Sequence, residues 1–435
     1  MKLFVALVAA FLIPWTARAQ TGAIDVAVAR SYFKELRDLG AADGGKLWGR
    51  QVSGPMLLVD PDARVVVANE ADVKGLLHNE SGVWIGKLPP EMNPANTSVE
   101  FGGKHWSMVM WPVSDNRYAR RRLLMHESFH RIQDSLGIPG TDRSNAHLAT
   151  AEGRIWTRLE WRALTEAVLR TGAIRKQAIT DALTFRARRR AAFPGAAEEE
   201  RQLELSEGLA EYTGLALSGL PGSALNDRVA VQLAQSEPQE SLVRSFAYAS
   251  GPAYALLLDE SGQAWRKKVG ASSDLSEMVR NAYAIGAVNT ARSESLVDRY
   301  TGARMVADER AREVNRLANE TRLRSMFVTG PRLRLPMAGN FSFSFNPNGA
   351  IPIQSVGTVY ETSRITDNWG VLEVESGGVL IERNREGLVS GITAANPAVE
   401  NGKASGKGWK LTLSPGWIAA PGASPDEFVV RKEND

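Results

Sequence analysis

The sequence predicts an α+β protein assembled from three stretches, and three observations carry that expectation. Short apolar runs punctuated by turn residues fill the first part of the chain, helical periodicity dominates residues 118–323, and at Thr329-Gly330-Pro331 the pattern changes from a period of 3.6 to a period of 2. The 435 residues are enough for two or three domains with sizeable cores.

The chain opens with Lys2, an apolar run from Leu3 to Ile13, and the small-x-small sequence Ala17-Arg18-Ala19 before Gln20, which together read as a secretory signal peptide over residues 1–19. The run is shorter than the ~20 apolar residues a spanning helix needs, and no later stretch is long enough. The expectation is therefore an exported protein, periplasmic or extracellular, with no integral membrane segment after cleavage. Removing Lys2 and Arg18 from the 52 basic residues leaves 50 against 49 acidic ones, a balance that argues against a nucleic-acid partner. With no cysteine in the chain there is neither disulfide nor thiolate ligand. That suits a bacterial periplasm or medium, and any metal must be held by His and carboxylates.

Residues 20–115 form the β-rich first stretch. Ile24, Val28, Tyr32, Leu36 and Leu39 are spaced for one amphipathic helix, and strands follow at residues 56–59, 64–68 and 83–85. Residues 97–101 and 105–111 flank Gly102-Gly103, the pair that permits the positive φ angles of a tight hairpin. The second strand of that hairpin, with Trp106, Met108 and Met110 on one face, is the expected edge for an extended peptide. Residues 116–328 read as helices, near 149–169, 174–193, 198–217, 224–235, 241–258 and 297–323. Residues 330–435 read as a small β domain, in which Phe341, Phe343 and Phe345 alternate, as do Trp409, Leu411 and Leu413. The basic runs 120–122 and 186–190 are expected on solvated helix faces, offset by acidic runs such as 198–200.

Chemistry gathers in RRLLMHESFHRIQ, residues 121–133. If this stretch is helical, His126 and His130 lie one turn apart on one face, where two imidazoles can share a zinc ion. Glu127 is about 100° further round, positioned to reach a metal-activated water without being a ligand. Hydrolytic zinc normally has three protein ligands, so a third is required. The best candidate is Glu207 in LELSEGLAEYTG, with Glu211 on the same helical face to accept a hydrogen bond from the outer nitrogen of a ligand histidine. Glu152 in AEGRIW is the competing ligand, while His105 and His147 read as structural.

His126-Glu127-Ser128-Phe129-His130 followed by Ser206-Glu207-Gly208-Leu209-Ala210-Glu211 resembles the gluzincins, the zinc peptidases that include thermolysin and aminopeptidase N. The resemblance spans roughly residues 97–258 in order and spacing. It implies a zincin-like catalytic domain over residues 20–328, Zn2+ held by His126, His130 and Glu207, Glu127 as general base, and Glu211 as the outer carboxylate. Tyr248-Ala249-Ser250-Gly251 is similar to the segment that supplies the family's oxyanion donor, which implies that role for Tyr248, with Tyr254 as the alternative. The implied activity is peptide-bond hydrolysis on a peptide or protein substrate, with a non-catalytic, peptide-binding envelope protein as the rival. The sequence departs from the family at Arg131, where an uncharged residue is usual, and lacks Gly-x-Met-Glu-Asn, the segment that anchors a free amine.

Overall fold

The computed structural model describes residues 24–140, 144–346, 349–384 and 387–434, so the expected signal peptide lies outside it. Among the described residues no helix is long and apolar enough to cross a membrane. The described residues are mixed α+β, with one α-helix ahead of an N-terminal sheet and nine more between that sheet and two C-terminal sheets.

Helix α1 (Val26–Asp43) is capped by Asp25, whose carboxylate accepts the backbone N–H groups of Ala27 and Val28. Strands β1 (Met56–Val59), β2 (Val65–Ala68), β3 (His78–Glu80), β4 (Val83–Lys87), β5 (Thr97–Phe101) and β6 (Lys104–Met110) form one sheet in the order β3-β4-β2-β1-β6-β5. Gly102 and Gly103 turn the β5–β6 hairpin at φ of 58° and 78°. One expectation is corrected here. Strand β6 lies inside the sheet, parallel to β1 and antiparallel to β5, so the free edge belongs to β5. Alternation along β6 does divide the faces: Trp106 and Met108 join a small core with Leu57, Val59 and Val66, whereas Val109 joins Met56 and Leu58 in the main core.

The helical stretch comprises α2 (Arg117–Ile132), α3 (Ala151–Leu169), α4 (Gly172–Ala192), α5 (Ala196–Leu203), α6 (Leu209–Ala216), α7 (Gly222–Ser236), α8 (Phe246–Glu260), α9 (Leu275–Ala282) and α10 (Ala303–Arg324). Helices α5 and α6 are one continuous run joined by a π turn over Glu204–Gly208. The last expected helix starts later than its periodicity implied, because short 3-10 turns occupy residues 290–300.

The basic runs are not solvated faces. Arg120 and Arg121 both bind Glu35. Arg186 and Arg189 are buried, Arg186 binding Glu160 and Glu204 while Arg189 binds Glu160 and Glu200. Acidic residues drawn from three separate segments supply the partners, which a reading of local charge runs cannot anticipate.

The C-terminal region is all β, in strands β7 (Arg332–Leu335), β8 (Ser342–Phe345), β9 (Ala350–Ile353), β10 (Gly357–Tyr360), β11 (Ser363–Asp367), β12 (Gly370–Val374), β13 (Val379–Arg383), β14 (Val389–Ala395), β15 (Ala398–Glu400), β16 (Lys403–Gly406), β17 (Trp409–Leu413), β18 (Trp417–Pro421) and β19 (Glu427–Lys432). They make a seven-stranded sheet, β18-β19-β7-β14-β13-β10-β9, and a six-stranded one, β15-β16-β17-β12-β11-β8. Phe343, Phe345, Trp409 and Leu411 are buried, as period-two alternation requires, and their core is continuous with that of the helices.

Candidate metal centre

Asn116 caps α2, accepting the N–H groups of Tyr118 and Ala119, and the helix then buries Leu124, Met125 and Phe129. His126, Glu127 and His130 therefore ride on a helix anchored along its apolar stripe. Opposite runs the segment with the π turn. A Cβ on Gly214 of α6 would meet the Arg122 carbonyl oxygen of α2 at 2.5 Å, and one on Gly251 of α8 would meet Gly208 Cα at 2.4 Å. Glycine at these positions lets both α2 and α8 press against the run. That close approach brings Glu211 to His126, and Tyr248 to Glu207.

Three donors converge. His126 Nε2 lies 3.1 Å from His130 Nε2, and Glu207 Oε2 lies 3.6 Å and 3.4 Å from these two nitrogens. A tetrahedral ion with bonds of about 2.0–2.1 Å sets its donors about 3.3 Å apart, so the observed spacings fit one. His126, His130 and Glu207 are the group among the described residues with metal-ligand proximity.

The surroundings favour a cation at the same point. His126 Nδ1 donates to Glu211 Oε2 at 3.3 Å and His130 Nδ1 donates to Gln133 Oε1 at 2.8 Å, fixing the tautomers whose Nε2 lone pairs face Glu207. Gln133 in turn donates to Ser206 Oγ at 3.2 Å. Glu211 is held by Arg122 and by Gln232 Nε2 at 2.8 Å. Burial would raise the Glu211 carboxyl, but the Arg122 charge and the His126 contact outweigh it and bring it to about 2. Burial likewise opposes ionisation of Glu207, and hydrogen bonds to His126 and His130, then the charges of His130 and Arg244, hold it well below the usual carboxylate range. For His126 burial favours the neutral ring, yet hydrogen bonds to Glu207 and Glu211 leave its pKa raised: a proton is drawn to where a metal would sit.

Glu127 is fully buried on the same helix, and neither carboxylate oxygen has a hydrogen-bond partner. Desolvation pushes its carboxyl well up. An unpaired buried carboxylate is costly, and a cation beside it would offset that cost.

Tyr248 is at the centre, its ring parallel to that of His126 at 5.8 Å, and its hydroxyl donates to Glu207 Oε2 at 2.7 Å. Burial, then the Glu207 charge, keeps the phenol protonated. Tyr254 lies elsewhere, donating to Glu160 at 2.8 Å. Glu152 is outside the group as well, half-exposed and bound to Arg188 at 3.2 Å. His105 pairs with Glu100 and His147 with Glu200. Arg131 points away from the donors, giving Nη2 to the carbonyl of Val52 at 2.9 Å, so the charge after the second histidine anchors the segment ahead of β1.

Sequence reasoning missed Arg122, Gln133, Gln232 and Arg244. The first two carried a signal, being four residues before His126 and three after His130 and so on the histidine face. Gln232 and Arg244 arrive from other segments and carried none. No family model, curated protein or solved structure matches this chain.

Proposed function

We propose that the protein is an exported zinc-dependent peptidase of gluzincin type, periplasmic or extracellular, whose residues 20–328 form a zincin-like catalytic domain. The observation that carries this reading is the convergence of two Nε2 atoms and one carboxylate oxygen beside a buried, unpartnered Glu127. His126, His130 and Glu207 would hold Zn2+. When bound, zinc supplies the Lewis acidity that makes water a nucleophile at neutral pH. Glu127 takes the proton of the attacking water and passes it to the leaving amine. Tyr248, protonated and within the centre, turns its O–H from Glu207 to the oxyanion that develops on the scissile carbonyl. Glu211 and Gln133 keep both imidazoles in the ligating tautomer. An extended peptide would add to the free edge of β5.

The test is turnover of a peptide library by the purified full chain, abolished by a chelator and restored by zinc. A zinc-loaded protein that cleaves nothing would favour the rival, a non-catalytic zincin-like protein that binds peptides. The closed setting of His126, Glu127 and Glu207, each at most 1% exposed, is the observation on that side.

A further inference from the structure

Strand β8 contacts the loop ahead of β5 at its start and a residue of the candidate centre's surroundings at its end. At its start Asn93 Nδ2 donates to Ser342 Oγ at 3.2 Å and to the Arg364 carbonyl of β11 at 3.3 Å, and Thr366 Oγ1 donates to the Glu91 carbonyl at 3.2 Å. Asn93 lies in the loop leading into β5. Three residues along β8, the Phe345 ring lies 5.3 Å from the guanidinium carbon of Arg244. The ring is itself wedged between Phe343, at 4.6 Å, and Tyr360, at 4.4 Å.

Arg244 is buried ahead of α8, and its Nη2 donates to Glu207 Oε1 at 3.3 Å. The two oxygens of Glu207 are thus steadied from different directions, Oε2 by Tyr248 and Oε1 by Arg244. A planar guanidinium engages a carboxylate with its edge and an aromatic ring with its face, so the ring fixes the plane in which the donors point. The outer partners of a ligating group commonly change metal affinity 10- to 100-fold when removed.

We propose that the C-terminal β domain is a working part of the metal centre: Phe345 seats Arg244, and Arg244 is the positioning residue that aims Glu207 at His126 and His130. The proposal rests on those three residues being metal ligands. Charge works against aim here, because a cation near the metal repels it. Changing Phe345 leaves the charge in place and isolates the aim.

The experiment uses the purified full chain, with zinc affinity read by competition against a chromophoric chelator and ligand geometry read from the visible spectrum of the cobalt-loaded protein. Phe345→Leu should bind zinc about 10-fold or more weakly and shift the cobalt bands, while Phe345→Tyr, which keeps a ring face, stays near wild type. Arg244→Lys, which keeps the charge but loses the plane, should follow Phe345→Leu and decides the matter if that variant does not fold. Leu372→Ala, a cavity in the β-domain core, should lower Tm without moving either reading. Wild-type affinity and spectrum in both Phe345→Leu and Arg244→Lys overturn the proposal, as does a Leu372→Ala that weakens zinc equally. A wild-type chain that takes up no zinc, or a His126→Ala variant that binds it as tightly as wild type, overturns the ligand assignment and the proposal with it.

Discussion

Four buried glutamates on one helical run all meet arginine, and they divide into two pairs by whether the ligand-spaced histidines His126 and His130 face them. Glu200 and Glu204, on the first half, are closed by arginine: Arg189 grips Glu200 with Nε at 2.6 Å and Nη2 at 3.0 Å, and Arg186 grips Glu204 at 2.8 Å and 2.5 Å. Glu207 and Glu211, on the second half, keep one arginine each, Arg244 and Arg122, and in addition face His126 and His130. Burial is the same and chemistry is not. A guanidinium cannot give up its proton or ligate a metal, so the first pair is held by fixed charge. An imidazole exchanges a proton for a metal, so the second pair can serve a site.

The largest expected effect separates holding a metal from using it. Glu127→Gln removes the proposed base and none of the three candidate donors, so it should retain stoichiometric zinc and lose about 10²–10⁴-fold in kcat. Full activity in that variant would leave the second half of the run as a binding site only.

Next in size is a lesion in the arginine half. Arg189→Ala strips a cation shared by Glu160 and Glu200, leaving Glu160 to Arg186 and Glu200 to Arg190 and His147, so the cost should lie at the low end of the about 3–5 kcal/mol that breaking a buried pair exacts. Chemical unfolding should register that loss while zinc bound per folded molecule stays unchanged. Loss of zinc from the still-folded variant would mean the halves are not separate devices.

On the histidine side, Glu211→Gln keeps an acceptor for His126 but removes the charge. Zinc affinity should fall about 10–100-fold and Tm should drop as well, because Arg122 loses its buried carboxylate partner, read by chelator competition and thermal melting.

This division also shows what could be read from the chain beforehand. His126 and His130 are four apart on one helix, so their meeting is local and legible, and the turn residues and changes of period located most elements within a few residues. Glu207 was legible as a residue type at a plausible spacing. The π turn that carries it was not, because an inserted residue in a helix has no signature in composition. The arginine half was misread for a related reason. Residues 186–190 look like a solvated basic face until the folded chain delivers Glu160, Glu200, Glu204 and Asp274 to them. Arg244 and Phe345, separated by a hundred residues, had no local pattern at all.

The smallest expected effect is a separation of the halves by acid. Asp274 caps α9 by accepting the N–H groups of Ser276 and Glu277, and it binds Arg190 at 2.6 Å. Burial would raise its carboxyl, but the charges of Arg190 and Arg186, then the hydrogen bonds from Ser276 and Arg190, lower it from 3.8 to about 2. A carboxyl depressed in the folded state contributes stability that is complete above its unfolded pKa and is lost as pH falls through the folded value. The Asp274 contribution should therefore persist to about pH 4 and disappear between there and about pH 2. Glu200 is likewise held well below its ordinary value by Arg189, Arg190 and His147 against the opposing effect of burial, so its share also persists below the usual carboxylate range. Zinc competes with protons for imidazoles whose ordinary pKa is about 6.5, so metal should leave at higher pH than the arginine half yields. A titration followed by zinc release and by circular dichroism should give two steps, with metal gone while secondary structure remains. In Asp274→Asn the lower step should begin at higher pH and the metal step should not move. A single step for both signals would mean that the metal, rather than the arginines, holds this run in place.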